Sequence, residues 1–496
     1  MNTLEIKNLT SSEAWSPLPA SEWNEDNAKH LLRRIGFSAP AETVKTSLNV
    51  GMDKTIQNAF ASATVMPPPE GLRETIDSYR DLRLRQGSMS EMERRTERQM
   101  LQKKNRELVV DLNINWLQHA AEPNNSAFEK WGLFWENVFV VTAQKVKNPA
   151  LLYQYQLMLR SHSFKDFGSL SKAVTKNPAM ITFLDLQQNK KGKPNENFAR
   201  ELFELFMLGE GNYTENDIKE AARAFTGYRA ADGEFRFISN QHDDSNKTVF
   251  GNTGNWDGDN IVELALEQPA ARLFIPRELC RHYLSDDIVP DEFLKPLGDG
   301  WAANDYSLNW LAASFFSSRL FYASQFKGNK IKSPFEFMLG LLQDLNLDLP
   351  PLPRSIIPAL RSMGQSYLNP PNVRGWVGGK HWINSATLIQ RRQIVEGFFN
   401  APSQNRLNGD EEKAMEKAKA EGKGHFFVTK TKGEEWVSLA PNDRLNFFED
   451  AWLANPMESD AKRSLLTFLN KNQDQPLPAT RTVAITLLQS PEYQLA

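Results

Sequence analysis

The stretch "KPNENFARELFELFMLGEGNYTENDIKEAARAFTGYR", residues 193–229, decides the fold class. At about 100° per residue, Phe198, Leu202, Leu205 and Phe206 share one face, with Ala199 and Phe203 beside them. Glu196, Asn197, Arg200, Glu201 and Glu204 fill the opposite arc. Asn195, after Pro194, is placed to cap the helix, and Gly209 is placed to end it. Thr214 with Asp217 starts a second helix striped by Ile218, Ala221, Ala222 and Phe225, and Gly227 stops it. The pattern predicts an αα-hairpin packed on a core. The polar arc has two readings. It can be a solvated face with Glu196–Arg200 and Arg200–Glu204 pairs, worth about 0.2–0.5 kcal/mol each. Alternatively it faces a cleft, where three carboxylates around Arg200 would hold a divalent metal or polarise a water.

Working outward, the same helical spacing recurs. "NEDNAKHLLRRIGFSAP" (24–40) is a short helix ended by Gly36 with Pro40 beyond. Residues 73–107 are dense in charge of both signs, and Ser90 with Glu93 caps a long salt-bridged helix. "AFEKWGLFWENVFV" (127–140) reads as a buried, aromatic-rich helix. Only "EFRFI" (234–238) and "KTVFG" (247–251) alternate as strands, which predicts one hairpin over about 234–251. The class is mainly α, a multi-helical globular protein with one small β-hairpin. Residues 1–22 read as a loose leader and 23–400 as the helical core. Residues 401–435, with "GDEEKAMEKAKAEGKG", read as a charged mobile insertion, and 436–496 as helices closing the core.

Composition narrows the function. The 496 residues carry 58 basic and 61 acidic side chains for a net charge of -3, which disfavours nucleic acid and anionic membrane as partners. Cys280 is the only cysteine, so no intrachain disulfide or thiolate metal site can form. The histidines make no HExxH pair. No apolar run reaches the roughly 18 residues of a membrane span, and the N-terminus has none of signal-peptide length. As written, the chain is expected in the cytoplasm.

"HLLRRIGFSAP", "NENFARELFELFMLGEGNYTENDIKEAARAFTGY", "FRF…HDDSNKTVFG", "KIKSPFEFMLGLL", "PPNVRGWVGG…WINSATLIQRR" and "LLQSPEY" occur in that order. Together they strongly resemble the bacterial domain of unknown function 1800 family over roughly residues 25–400 and the C-terminal helix. The resemblance implies no particular reaction. It implies that relatives are often exported and often encoded beside a sulfatase-like partner. Where that family typically reads Trp-His-Asn-His-Phe, this chain has "WENVF", with Glu136 and Val138 at the two histidine positions. Glu136 could still ligate a hard cation or act as a base, and Val138 could do neither.

Two loops complete the candidate set. His242-Asp243-Asp244 matches the family's His-Asp position, and a loop histidine beside carboxylates can ligate a metal or transfer protons near neutral pH. It can equally be a solvated turn. In "NPPNVRGWVGGKHWINSATLIQRR" (369–392), Gly375, Gly378 and Gly379 allow close backbone approach, and Trp376, His381 and Trp382 offer stacking surfaces. Asn384 or Ser385 opens a helix whose N–H groups can meet an anion. Arg391 and Arg392, with Arg33 and Arg34, can instead be buried partners of the acidic arc. No GxSxG, SxxK or P-loop is present.

The expectation is that the acidic arc, the His242 loop and the Trp-Gly loop converge on one cleft for metal- or acid/base-assisted hydrolysis of a glycan-like substrate. Glu196, Arg200, Glu201, Glu204, His242 and Asp243 would act there, with Glu201, Glu204, His242 and Asp243 as metal candidates. Asn372, Trp376, Trp382, Asn384 and Arg391 would hold substrate. The rival is a non-catalytic binding or scaffold protein working with a co-encoded sulfatase-like partner.

Overall fold

Phe, Trp and Tyr make up 10% of the chain, and their rings supply much of one continuous core. That core runs from Ala14 to Tyr493 in the computed structural model, which describes residues 6–61, 63–85, 87–400 and 407–496. Among the described residues there are 25 α-helices and two small antiparallel sheets, so the protein is mainly α. The elements that position the site are, in chain order, α1 (Glu25–Ile35), α2 (Glu91–Ala121), α3 (Pro123–Val138) and α4 (Pro149–His162). Then come α5 (Asn197–Glu201, widening into a π-turn over Leu202–Met207) and α6 (Glu215–Ala224). After the strands follow α7 (Ala271–Leu279, widening over Cys280–Leu284), α8 (Pro334–Leu345), α9 (Ser385–Phe399) and α10 (Pro476–Leu488).

Helix α3 sits at the centre. Trp131, Phe134 and Trp135 are buried, and the helix touches α2 and α4. A helix buried all round is ordinarily apolar all round, yet α3 also buries Glu129, Lys130 and Glu136. Each of these must find a partner, because an unpaired buried charge costs several kcal/mol.

The αα-hairpin forms as expected, with the Thr214–Asp217 capping box in place and Gly209 and Gly227 at positive φ. The single hairpin over 234–251 is corrected to two. Strand β1 (Tyr228–Ala231) pairs with β2 (Glu234–Phe237), and β3 (Lys247–Val249) pairs with β4 (Asn252–Gly254). Asp232-Gly233 and Phe250-Gly251 all take positive φ, the two-residue turn whose twist suits adjacent strands, so each strand closes on its nearest neighbour.

Of residues 1–22, read as a loose leader, 1–5 lie outside the described residues. From Ile6 onward the segment is described, and Ala14 is fully buried. Leu18 N–H donates to the Ser317 carbonyl, and Leu320 N–H donates to that of Ala14, each at 2.8 Å. Of the charged stretch 401–435, residues 401–406 lie outside the described residues. The rest carries helices Gly409–Ala420 and Lys430–Val437, and the Gly424 and His425 amides donate to Asp348. The C-terminus returns to the body, where Ala496 N–H donates to the Lys330 carbonyl at 2.8 Å. No helix among the described residues is long and apolar enough to cross a membrane.

Candidate functional site

On the acidic arc, Arg200 turns across the hairpin to Glu215, with guanidinium–carboxylate bonds of 2.8 and 2.7 Å, and touches Glu196 at 3.4 Å. The expected Arg200–Glu204 pair is not among its bonds. Glu204 instead accepts from Arg374 and from the Tyr213 hydroxyl, each at 2.8 Å. Arg374 also holds Glu210 at 2.6 Å, so the Trp-Gly loop is tied to the arc by a residue that sequence spacing could not pair with it. Burial, reinforced by the charge of Glu204, raises the proton affinity of Glu201. Glu196, Asn195 and Asn197 border an open groove of about 870 Å³, with Lys190, Lys193 and Arg229.

The His242 loop belongs to another network. His242 Nδ1–H donates to the Thr226 carbonyl at 2.9 Å, and its ring lies 5.1 Å from that of Phe237. Asp243 accepts from Arg223 Nε at 2.8 Å and from the Ser245 amide at 3.1 Å. Partial burial opposes its charge, but the Arg223 and Ser245 hydrogen bonds win and hold the carboxyl well below the usual range. Tyr213, which binds Glu204, precedes α6, and Thr226, which binds His242, follows it. About 15 Å of helix therefore lies between the two anchor points. The four metal candidates do not gather. Among the described residues no three His, Cys, Asp or Glu side chains come together as a metal site.

The Trp-Gly loop docks on α3. Gly375 has φ +76°, and a Cβ there would overlap the Asn137 side-chain oxygen, which accepts from Trp376 N–H at 2.8 Å. Trp376 and Trp382 help wall a recess of about 70 Å³ between α3, the end of α7, residues 330–336 and the loop itself. Asn372 stays exposed and accepts from the Arg374 amide at 2.8 Å, a local turn. Asn384 caps α9 with Thr387.

Arg391 is corrected from substrate contact to internal clamp. Buried at 1% exposure, it donates to the Lys332 carbonyl at 2.7 Å and to Gln494 at 3.1 Å, fastening the C-terminal segment. Burial lowers its pKa to about 10. Arg33 and Arg34 bond backbone carbonyls rather than the acidic arc.

The recess is built mostly from residues that spacing did not reveal. Lys130 pairs with Glu336 at 2.6 Å and donates to the Gly36 carbonyl at 3.0 Å. Lys330 pairs with Asp286 at 2.7 Å and donates to the Arg281 carbonyl at 2.9 Å. Burial opposes charge on Glu336, yet the two lysines hold its carboxyl well below the usual range. Burial lowers the His282 pKa to about 3, so its imidazole is neutral, and burial raises that of Glu278. One signal was available: a lysine inside the aromatic run "AFEKWGLFW" has to meet an acid or a cavity.

Glu136 and Val138 diverge because residues two apart on a helix point about 200° apart. Val138 lines the recess. Glu136 faces away, 3.3 Å from Arg160 Nη1 and 3.1 Å from the Tyr367 hydroxyl. Arg160 also pairs with Glu129, which accepts from Trp116 Nε1 at 2.9 Å. Burial dominates at Glu136 and raises its pKa to about 7. No curated protein and no solved structure matches the chain. The family profile described as "Protein of unknown function (DUF1800)" matches residues 30–495, and the chain belongs to that family.

Proposed function

We propose that the chain is a binding protein that takes a polar, glycan-like group against Trp376 and Trp382, and that it works with a partner of the sulfatase-like kind implied for relatives. One observation carries this reading. Glu196, Glu204 and Asp243, expected to act as bases or ligands, are each held by an arginine, whereas both loop tryptophans meet at one recess. Trp376 and Trp382 are each under a tenth exposed, so they meet the inserted polar part of such a group at the recess rather than stack on a whole ring. Titration of the protein with neutral cello- and chito-oligosaccharides, followed by tryptophan fluorescence, tests it. A saturable shift that is lost in a folded Trp382→Ala variant is expected. Absence of any shift overturns the reading.

Hydrolysis has one specific support. Glu278 lines the recess, where partial burial raises its proton affinity although Arg281 holds both of its oxygens. A carboxylic acid so placed can protonate a leaving oxygen. Release of reducing ends by the wild type, lost in Glu278→Gln, would replace the binding reading with this one. Stoichiometric metal in purified protein, lost in His242→Ala, would bring back a metal-assisted version.

A further inference from the structure

The recess is rich in hydrogen-bond donors and short of free acceptors. Trp376 is 9% exposed, and its indole Nε1–H has no partner among the described residues. Asn137 Oδ1 is taken by the Trp376 amide, and Gln365 Oε1 by that of Phe335 at 3.0 Å. Those two bonds fix the amide orientations, so each NH2 group is left to the recess that both residues line. Neither NH2 donates to another described residue. Lys130 and Lys330 each donate two hydrogen bonds within the protein; Lys330 keeps its third ammonium proton, and the Lys130 ammonium also lies 5.9 and 5.6 Å from the Phe37 and Tyr283 rings.

The carboxylate acceptors, in contrast, are engaged, and the neutral His282 imidazole adds one further donor and one acceptor. Glu336 takes Lys130 on one oxygen and the Ser333 amide on the other, and Glu278 takes Arg281 on both. Of the charged groups lining the recess, Lys130, Lys330 and Arg281 are cationic, and Glu278 and Glu336 are acidic. A buried donor without an acceptor costs about 1–3 kcal/mol. A set of them facing one small volume is preorganised for a ligand that brings only acceptors.

We propose that the recess binds a compact oxoanion, either free or as the charged substituent of a larger molecule. This deepens the reading of the recess as the binding site and rests on it. The donors come from three directions: Asn137 and Lys130 on α3, Gln365 and Trp376 from the following loops, and Lys330 ahead of α8. Three directions of N–H can surround a carboxylate or a tetrahedral anion, and charge-assisted bonds of this kind are among the strong ones. At about 70 Å³ the volume admits such a group and excludes a whole sugar ring. A ring would therefore rest at the mouth, where Val377 is 51% exposed, with its charged substituent inside.

The test uses the full chain and three probes, inorganic phosphate, acetate and glucuronate, by calorimetric titration at constant ionic strength. Asn137→Asp and Gln365→Glu each keep the oxygen that accepts from the backbone and replace the NH2 with an acceptor. Trp376→Phe removes the indole N–H together with its five-membered ring, and circular dichroism checks that each variant is folded. Wild-type binding of phosphate or acetate, weakened about tenfold or more in the variants, supports the proposal with a free ion as source. Binding of glucuronate alone, weakened in the same way, supports it with a charged substituent as source. No anion bound by the wild type, or equal affinity in all variants, overturns it. The neutral oligosaccharide titration separates the two claims: if it still shifts tryptophan fluorescence while no anion binds, only the oxoanion is lost.

Discussion

The two long faces of α3 bury polar groups to opposite ends. On one, Glu129, Gly132 and Glu136 line up at i, i+3 and i+7 against Arg160. Gly132 lies beside the guanidinium, whose Cζ would be in ordinary contact, 3.4 Å, with a Cβ placed there. The Tyr367 hydroxyl lies 2.6 Å from Gln156 and 3.1 Å from Glu136, so a protonated Glu136 can donate to Tyr367 while Tyr367 donates to Gln156. On the other face, Lys130, Leu133, Phe134 and Asn137 line up at i, i+3, i+4 and i+7 along the recess. There the acids are satisfied, but donors remain unused. The first network, in which Gln156 Nε2 is left without a partner, fixes the helix in the core, and the second, with several unused donors at a recess, leaves binding capacity. The same helix therefore separates structure from function by which face a residue occupies.

The largest effect is expected from breaking the Arg160 face. Arg160→Met leaves Glu129 and Glu136 buried without their cation, a change that costs about 3–5 kcal/mol. Urea denaturation should show that loss, and adding Glu129→Leu should recover part of it. Full additivity of the two would mean the pair is not coupled. Next in size is a pH effect. The folded pKa of Glu136 is raised to about 7, above the usual 4.5. The folded state therefore binds the extra proton, and its contribution is complete below about 4.5 and lost as pH rises through about 7. Stability of the wild type relative to Glu136→Gln should fall across that window by up to about 3 kcal/mol. A constant difference from pH 4.5 to 8 would place the proton elsewhere.

Much of this arrangement was legible in local pattern. The hairpin of residues 193–229 and the caps at Ser90, Thr214 and Asn384 depend on neighbours within four residues, and each forms. Alternation marks only two of the four strands, 234–238 and 247–251; their partners Tyr228–Ala231 and Asn252–Gly254 are too short to alternate visibly and are set by the Asp232-Gly233 and Phe250-Gly251 turns. The recess was not legible. Its residues run from Lys130 to Trp382 and meet only after helices from distant parts of the chain pack. Long-range ion pairs such as Glu204–Arg374, 170 residues apart, leave no spacing to detect. The arc's polarity was visible, whereas its partners were a product of tertiary structure.

The recess itself can be disturbed from its hinge. Gly375→Ala meets both a positive φ and the Asn137 side chain, and should cost about 1–3 kcal/mol. It should also red-shift tryptophan emission as Trp376 loses its seat. Unchanged emission and stability would show that the loop adapts and that α3 does not position it.

The smallest effect should come from the outer tie of the same loop. Arg374 and Glu210 are more than half exposed and Glu204 is 19% exposed, so these outer pairs contribute about 0.2–1 kcal/mol. Glu204 keeps the Tyr213 hydroxyl when Arg374 is removed, so no charge is stranded. Arg374→Gln, alone and combined with Glu204→Gln, should therefore give a small coupling energy that shrinks in high salt. Its tryptophan emission should match the wild type, in contrast to Gly375→Ala. If Arg374→Gln instead shifts emission as far as Gly375→Ala does, the loop is held by its surface charges. The recess would then be coupled to the acidic arc, and the separation drawn between a rigid α3 face and a solvated helical hairpin would not stand.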